Sequence, residues 1–316
     1  MKTIQEMLQE LSQCIVTVSG EFRFRTNWNG GKVPQPDLDT FDPNVPFCIE
    51  NVGDAQASVQ YNTKNTNIKI SKDYKSWSDY TTGDPITLDP TERVYIKSDY
   101  VKDTGNDPRF VFNGDGAQLR ARGNIASLLY GTNDAYVNKY TSTEAYCYKS
   151  MFQGCKSLTQ APELPAATLA NGCYNAMFEN CASLLQTPEL PATTLTEFCY
   201  NRMFAFCTSL TQAPELPATK LVDGCYQYMF QGCTSLTQAP ELPATNLVDY
   251  CYFAMFYNCT KLNYVKCHTT DTYADRCTLH WLYNVSSTGD FYTPTSTAWS
   301  SGTSGIPSGW TRHDIT

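Results

Sequence analysis

Cysteine, histidine and glutamate are the residues of this chain that could do chemistry, and most of them recur at one interval. One cysteine series runs Cys147, Cys173, Cys199, Cys225, Cys251 and Cys277, each 26 residues after the last. A second runs Cys155, Cys181, Cys207, Cys233 and Cys259 at the same spacing. Fourteen cysteines invite a disulfide framework. On a helix, Cys147 and Cys155 would stand about 12 Å apart along the axis, too far for a bond. Eleven of the fourteen occupy repeated positions, and cysteine is among the most buried residue types. Buried free thiols are the expectation, with a bridge between copies or a bound metal as the alternative. Gln5, Glu6, Gln9 and Glu10 interrupt the apolar stretch an export signal needs. Folding where thiols stay reduced is therefore expected.

Cys267, His268, Cys277 and His280 are ligand types that suit zinc, but at spacings of no known finger. Cys277 is also the sixth member of the first series, followed by Trp281 and Leu282 where other copies carry Met and Phe. Glu163, Glu189, Glu215 and Glu241 could line up for calcium or stand solvated. Like charges about 5 Å apart cost under about 1 kcal/mol per pair in water, so a structural role is expected. The acidic loop that starts at Asp103 matches a calcium loop poorly. The only histidines are His268, His280 and His313, and no hydrolase, phosphate-loop or dinucleotide motif appears. No catalytic residue, no metal site and no cofactor is expected, and the chain reads as a non-enzyme.

The elements that would position these residues follow from the repeat. Between the cysteines, Met151-Phe152 recurs through Met255-Phe256, and after them Leu158 recurs through Leu262. Four copies then read PELPA, from Pro162, Pro188, Pro214 and Pro240. An unbroken period over more than 100 residues implies a solenoid whose coils bury their apolar faces against one another. At about 100° per residue, Cys147, Tyr148, Met151, Phe152 and Cys155 share one arc. The spacing predicts a two-turn amphipathic helix in each copy. Leu158 to Ala161 is expected as a short paired strand, ended by Pro162, which lacks an N–H. Stacking would set Gln160, Gln186, Gln212 and Gln238 about 4.8 Å apart in an amide ladder.

The order C-x-S-L-T…L-P…C-Y-x-x-M-F-x-x-C resembles the BspA-type leucine-rich repeat, which reads C-x-S-L-T-x-I-x-I-P and then I-G-x-x-A-F-x-G-C. The chain departs from it with Cys at the Ile position, Met at the Ala position and about three extra residues around PELPA. Residues 261–310 resemble that family's C-terminal cap, and the stretch from Arg122 its N-terminal junction. The resemblance covers roughly 122–316. It implies a leucine-rich-repeat solenoid and a surface or virion recognition protein, of the kind found in gut bacteria and their bacteriophages.

Ahead of the repeat, alternating stretches such as IVTVSGEFRFR, ASVQY, NIKIS, ITLDP, RVYIKS and RFVFNG are separated by turn signals. They predict an antiparallel β-sandwich, and NIKISKDYKSWSDYTTGDPITL resembles the small domain preceding such repeats. The expected fold class is mainly β with short helices. Residues 1–40 form a helix (3–12) and strand anchor, 41–121 a β-sandwich, 122–283 the solenoid and 284–316 the cap.

The net charge of −8 argues against a nucleic-acid partner, which needs a basic face. No run of 18 apolar residues would insert in a membrane. The helix arc opposite the cysteines carries the residues that differ between copies. Arg202, Phe206, Lys220, Tyr228, Tyr250, Phe253 and Tyr257 are the candidate ligand-binding residues on that variable face. The expected function is a virion-associated recognition protein that binds a bacterial surface glycan or protein, reaching the outside by lysis. Other virion proteins would hold its N-terminal segment, and a homo-oligomer is expected. A cement protein of a capsid or tail, or an adhesin on the bacterial cell surface, are the alternatives.

Overall fold

The computed structural model describes residues 15–18, 21–24, 45–64, 67–98, 108–130, 143 and 145–315. The expected helix at 3–12 and the loop from Asp103 to Asp107 lie outside them. The chain is mainly β: of the described residues only α1 (Ser127–Tyr130) is helical.

Strands β1 (Ile15–Val18) and β2 (Glu21–Phe24) pair as an antiparallel hairpin within the stretch read as one alternating segment. Residues 45–122 supply β3 (Phe47–Asn51), β4 (Ala57–Asn62), β5 (Ile68–Ser71), β6 (Ser78–Tyr80), β7 (Ile86–Leu88), β8 (Arg93–Ser98), β9 (Arg109–Asn113) and β10 (Leu119–Arg122). One sheet runs β10-β3-β8-β5-β6 and a second runs β7-β4-β9. Alternation explains the pairing: Ala57, Val59 and Tyr61 of β4 point inward while Ser58 and Gln60 do not. Asn51, fully buried, bonds across the gap, its amide donating to the carbonyls of Ala55 (2.8 Å) and Leu88 (3.0 Å). Both sheets contribute to one apolar core.

The repeats differ from the expectation in their local structure. The C-Y-x-x-M-F-x-x-C segments are not helices but successive tight turns, in which every fourth residue has a positive φ. In one copy these are Gly172 (60°), Ala176 (52°) and Asn180 (62°); in the next, Phe198 (54°), Arg202 (55°) and Phe206 (61°). Each left-handed residue reverses the direction of the peptides, so alternate N–H groups take different partners. Tyr174, Ala176 and Phe178 donate to Cys199, Asn201 and Met203 of the next copy at 2.8–3.1 Å. Asn175, Met177 and Glu179 donate three residues back, to Gly172, Tyr174 and Ala176, at 3.1–3.2 Å. Every peptide N–H from Gly172 to Cys181 thereby has a backbone acceptor. A left-handed non-glycine residue costs roughly 1–2 kcal/mol, and bonding between copies offsets it. Positions 0, 4 and 8 share a face at a four-residue period, and nine residues are too few to separate that from 3.6.

The expected strand also contracts. Of the four PELPA copies only the first forms one, β11 (Leu158–Gln160), and it pairs in parallel with β10, extending the larger sheet. Later copies hold isolated bridges such as Gln160 to Gln186 and Thr194 to Lys220. No hydrogen bond joins the side-chain amides of Gln160, Gln186, Gln212 and Gln238. The reason is that the turn segments already carry the bonds between copies, while proline removes a donor beside each would-be strand.

Behind the turns, equivalent rings stack copy on copy. Tyr148, Tyr174, Tyr200, Tyr226 and Tyr252 form one column at 5.7–6.1 Å between centroids. Phe152, Phe178, Phe204, Phe230 and Phe256 form another at 5.5–5.8 Å. Phe110 of β9 extends the phenylalanine column at 5.1 Å and 4°, and Tyr61 of β4 stacks on Phe110 at 4.5 Å. At the other end Trp281 lies 6.2 Å from Tyr252, and Trp299 lies 5.2 Å from Trp281. A three-stranded parallel sheet of β12 (Tyr264–Lys266), β13 (Gly289–Pro294) and β14 (Trp310–Ile315) closes the chain. A single core thus runs from Phe47 to Trp310.

Candidate functional site

The candidate surface is built on the left-handed positions. A residue there has its backbone fixed by bonds on both sides, and its side chain is turned out of the core onto the following copy. Tyr146 and Phe198 lie over Gly172 and Gly224, where an added Cβ would stand 2.2 Å and 2.5 Å from the ring. Phe206 covers Gly232 in the same way, at 2.5 Å. Where the next copy has a side chain, the two residues pair. The Arg202 guanidinium sits 5.2 Å above the Tyr228 ring, an arrangement that attracts a cation to the ring face.

A ridge of such contacts crosses the copies. Arg109 Nη2 donates to Gln153 Oε1 (2.5 Å), and Gln153 Nε2 donates to Glu179 Oε2 (2.6 Å). Arg202 donates to Glu179 Oε1 through Nε (3.0 Å) and Nη2 (2.6 Å). From Arg202 the ridge passes to Tyr228, then to Phe253 (5.2 Å, edge-on) and Tyr250 (5.7 Å), over which Arg276 lies at 5.6 Å. Tyr257 stacks on Tyr283 at 4.7 Å and 10°.

Of the seven residues singled out from the sequence, Arg202, Tyr228, Tyr250 and Phe253 are therefore in one connected group. Phe206 and Tyr257 lie on the same turn face with other neighbours. Lys220 does not join them: its backbone bridges Thr194, on the segment leading into the turns. Tyr146, Phe198, Arg276, His280 and Tyr283 belong to this face and were missed. For all but Tyr283, the signal that could have found them is glycine or asparagine eight residues apart within one copy, as at Gly172 and Asn180 or Gly224 and Gly232, which marks left-handed positions.

The sulfurs point the other way. The twelve buried cysteines are free thiols. In the second series each thiol donates to the carbonyl of a phenylalanine one copy back: Cys181 to Phe152 (3.1 Å), Cys207 to Phe178 (3.2 Å), Cys233 to Phe204 (3.1 Å) and Cys259 to Phe230 (3.0 Å). Cys155 donates to Phe110 at 3.4 Å. Loss of hydration pushes these thiols up, to about 11 for Cys173 and about 12 for Cys199, Cys233 and Cys251. Burial thus disfavours the thiolate, the form that acts as a nucleophile.

The residues that could suggest zinc are placed apart in role. Cys267 is buried, and the Cys277 thiol donates to the Thr272 carbonyl at 3.5 Å. His268 shares a hydrogen bond with Glu241 (2.5 Å), and the His280 N–H donates to Ser304 Oγ (3.0 Å). Among the described residues no group of three or more His, Cys, Asp or Glu is arranged to hold an ion. In the glutamate series, partial burial and then the charge of Glu189 raise the Glu163 carboxyl, while Lys266 and His268 lower that of Glu241. No described helix is long and apolar enough to cross a membrane.

No protein-family model, curated protein or solved structure matches the chain.

Proposed function

We propose that the repeats are a solenoid of the BspA-type leucine-rich-repeat kind behind a β-sandwich, and that the protein is a non-enzymatic recognition module displayed on a virion. The solenoid reading is supported by the 26-residue ladder of backbone bonds and stacked rings. Its target is a bacterial surface glycan, met by the turn face. One observation carries this: the ridge from Arg202 through Tyr228 and Phe253 to Tyr250 presents aromatic and guanidinium groups on a backbone whose conformation is fixed beforehand. Preorganised aromatic and polar groups bind at low ordering cost. Attachment to the particle is assigned to the N-terminal segment, with release by lysis.

The test is binding of the purified chain to an array of bacterial surface polysaccharides, together with mass spectrometry of purified particles. Binding to the array and presence on the particle support the reading; a chain on the particle that binds no saccharide or host cell overturns recognition. A structural role as a capsid or tail cement protein is favoured by the continuous core from Phe47 to Trp310, which suits a stiff connector. Attachment to a bacterial envelope instead of a particle would make it an adhesin.

A further inference from the structure

We propose that the outer face of the Tyr283 ring, bordered by His280, Asn258 and Asn284, is a stacking subsite for a neutral pyranose. The inference rests on glycan recognition by the turn face and gives that recognition a place, in the last copy.

Tyr283 is the terminal ring of its stack. One face lies on Tyr257 at 4.7 Å and 10°; among the described residues no second ring is stacked on the other, and the residue is 42 % exposed. The equivalent positions of the copies before Tyr257 carry no aromatic ring but Gln153, Glu179, Ala205 and Gln231. Here the following chain, at Thr303 to Gly305, bonds to the backbone of Leu282 and to Thr278, His280 and Trp281 but brings no aromatic.

The border is polar and partly unsatisfied. His280 stands edge-on to Tyr283, with ring centroids at 6.1 Å and 86°. Its backbone N–H is bonded to Ser304 Oγ at 3.0 Å, and among the described residues none bonds its ring nitrogens. Asn284 Nδ2 donates to Asn258 Oδ1 at 3.0 Å, which leaves the Asn284 carbonyl oxygen and the Asn258 amide N–H groups for a ligand. His280 (57°), Asn284 (54°) and Asn258 (63°) all occupy left-handed positions, so the ladder holds these side chains outward. Trp281 is buried behind them, its Nε1–H bonded to the Gly305 carbonyl at 3.1 Å.

One apolar ring face rimmed by neutral donors and acceptors matches a pyranose, which has an apolar C–H face rimmed by hydroxyls. The guanidinium of the same copy, Arg276, lies over Tyr250 instead, and among the described residues no charged side chain pairs with His280. An ionic sugar is therefore not called for.

The test titrates the full chain with methyl β-galactoside and methyl β-glucoside, followed by saturation-transfer NMR, and applies the same protein to the polysaccharide array. Tyr283→Ala, Tyr283→Phe, Asn284→Ala and Tyr250→Ala are compared, with melting curves to confirm folding. The expected result is at least tenfold weaker binding for Tyr283→Ala, several-fold for Asn284→Ala, and affinity kept within a few-fold by Tyr283→Phe. Should Tyr283→Ala melt early, Asn284→Ala and Tyr283→Phe decide the matter. Saccharide binding unchanged in Tyr283→Ala, or in Asn284→Ala if that variant decides, overturns the subsite and leaves glycan recognition standing. No saccharide binding by the unaltered chain overturns both.

Discussion

The thiol of Cys207 donates to the carbonyl oxygen of Phe178 at 3.2 Å, a bond that reaches back one copy. The same carbonyl accepts the N–H of Cys181 at 3.1 Å, so one oxygen ties two neighbouring copies. Cys207→Ala removes the donor and leaves a small void. It is expected to cost about 1–2 kcal/mol, measured by urea unfolding. Cys207→Val, which keeps volume without the donor, should cost part of that. If Cys207→Val matches the parent while Cys207→Ala does not, the sulfur contributes only bulk.

Raised thiol values set the alkaline limit of stability. In the unfolded chain the cysteines ionise near their ordinary value of 9.0; in the fold Cys173 does so at about 11 and Cys199 at about 12. The folded state therefore retains protons that the unfolded state has lost. Stability should be level in this respect below pH 9 and fall as pH rises through 9 to 12. Equilibrium unfolding against pH checks this. Native protein near pH 8 should also leave most thiols unlabelled by a thiol reagent until denaturant is added.

Phe198 and Gly224 should behave as a pair. Gly224→Ala places a methyl 2.5 Å from Phe198 Cε1 at a φ of 60°, and should cost about 1–2 kcal/mol. Adding Phe198→Ala removes the clash and should recover part of the loss. A double-mutant cycle that shows full additivity would mean the ring does not rest there in solution.

Phe110 joins the strands to the repeats, between Tyr61 at 4.5 Å and Phe152 at 5.1 Å. Its N–H also donates to the Met151 carbonyl at 2.7 Å. Phe110→Ala is expected to cost about 3–5 kcal/mol and to lower the melting of residues 45–122 and of the repeats together. Calorimetry showing one half unaffected would separate them.

Along the ridge, Tyr228→Ala and Phe253→Ala touch half-buried residues outside the ring columns. Each should weaken polysaccharide or host-cell binding at least tenfold while lowering stability by about 1 kcal/mol. Equal loss of both binding and fold would assign them to packing.

The buried half of each copy was legible in the sequence because Cys173, Tyr174, Met177, Phe178, Cys181 and Leu184 keep their types at one interval. The alternating stretches ahead of the repeat also became strands, although FCIEN, now β3, was overlooked because Phe47, Cys48 and Ile49 are buried on both sheet faces and do not alternate. What was not legible was the backbone. A helix and a run of left-handed turns bury the same residues over nine positions, and only the φ values at Ala176 and Asn180 separate them. The candidate face was found in part for the same reason. Residues that vary were sought on a helix arc, which captured Arg202, Tyr228 and Tyr257. Tyr283 holds the same register as Tyr257 but follows Trp281-Leu282 in place of Met-Phe, and Lys220 lies ahead of the Cys225–Cys233 segment altogether.

The backbone bonds between copies join peptide groups alone and make no reference to side-chain identity. One more 26-residue unit could be spliced in, or one removed, with each amide still finding a carbonyl. Phe110 and the β10–β11 pairing at one end, and Trp281 with Trp299 at the other, are bespoke fittings. Length is thus adjustable by whole increments without redesigning the interior, and the exterior side chains of each increment are free to vary.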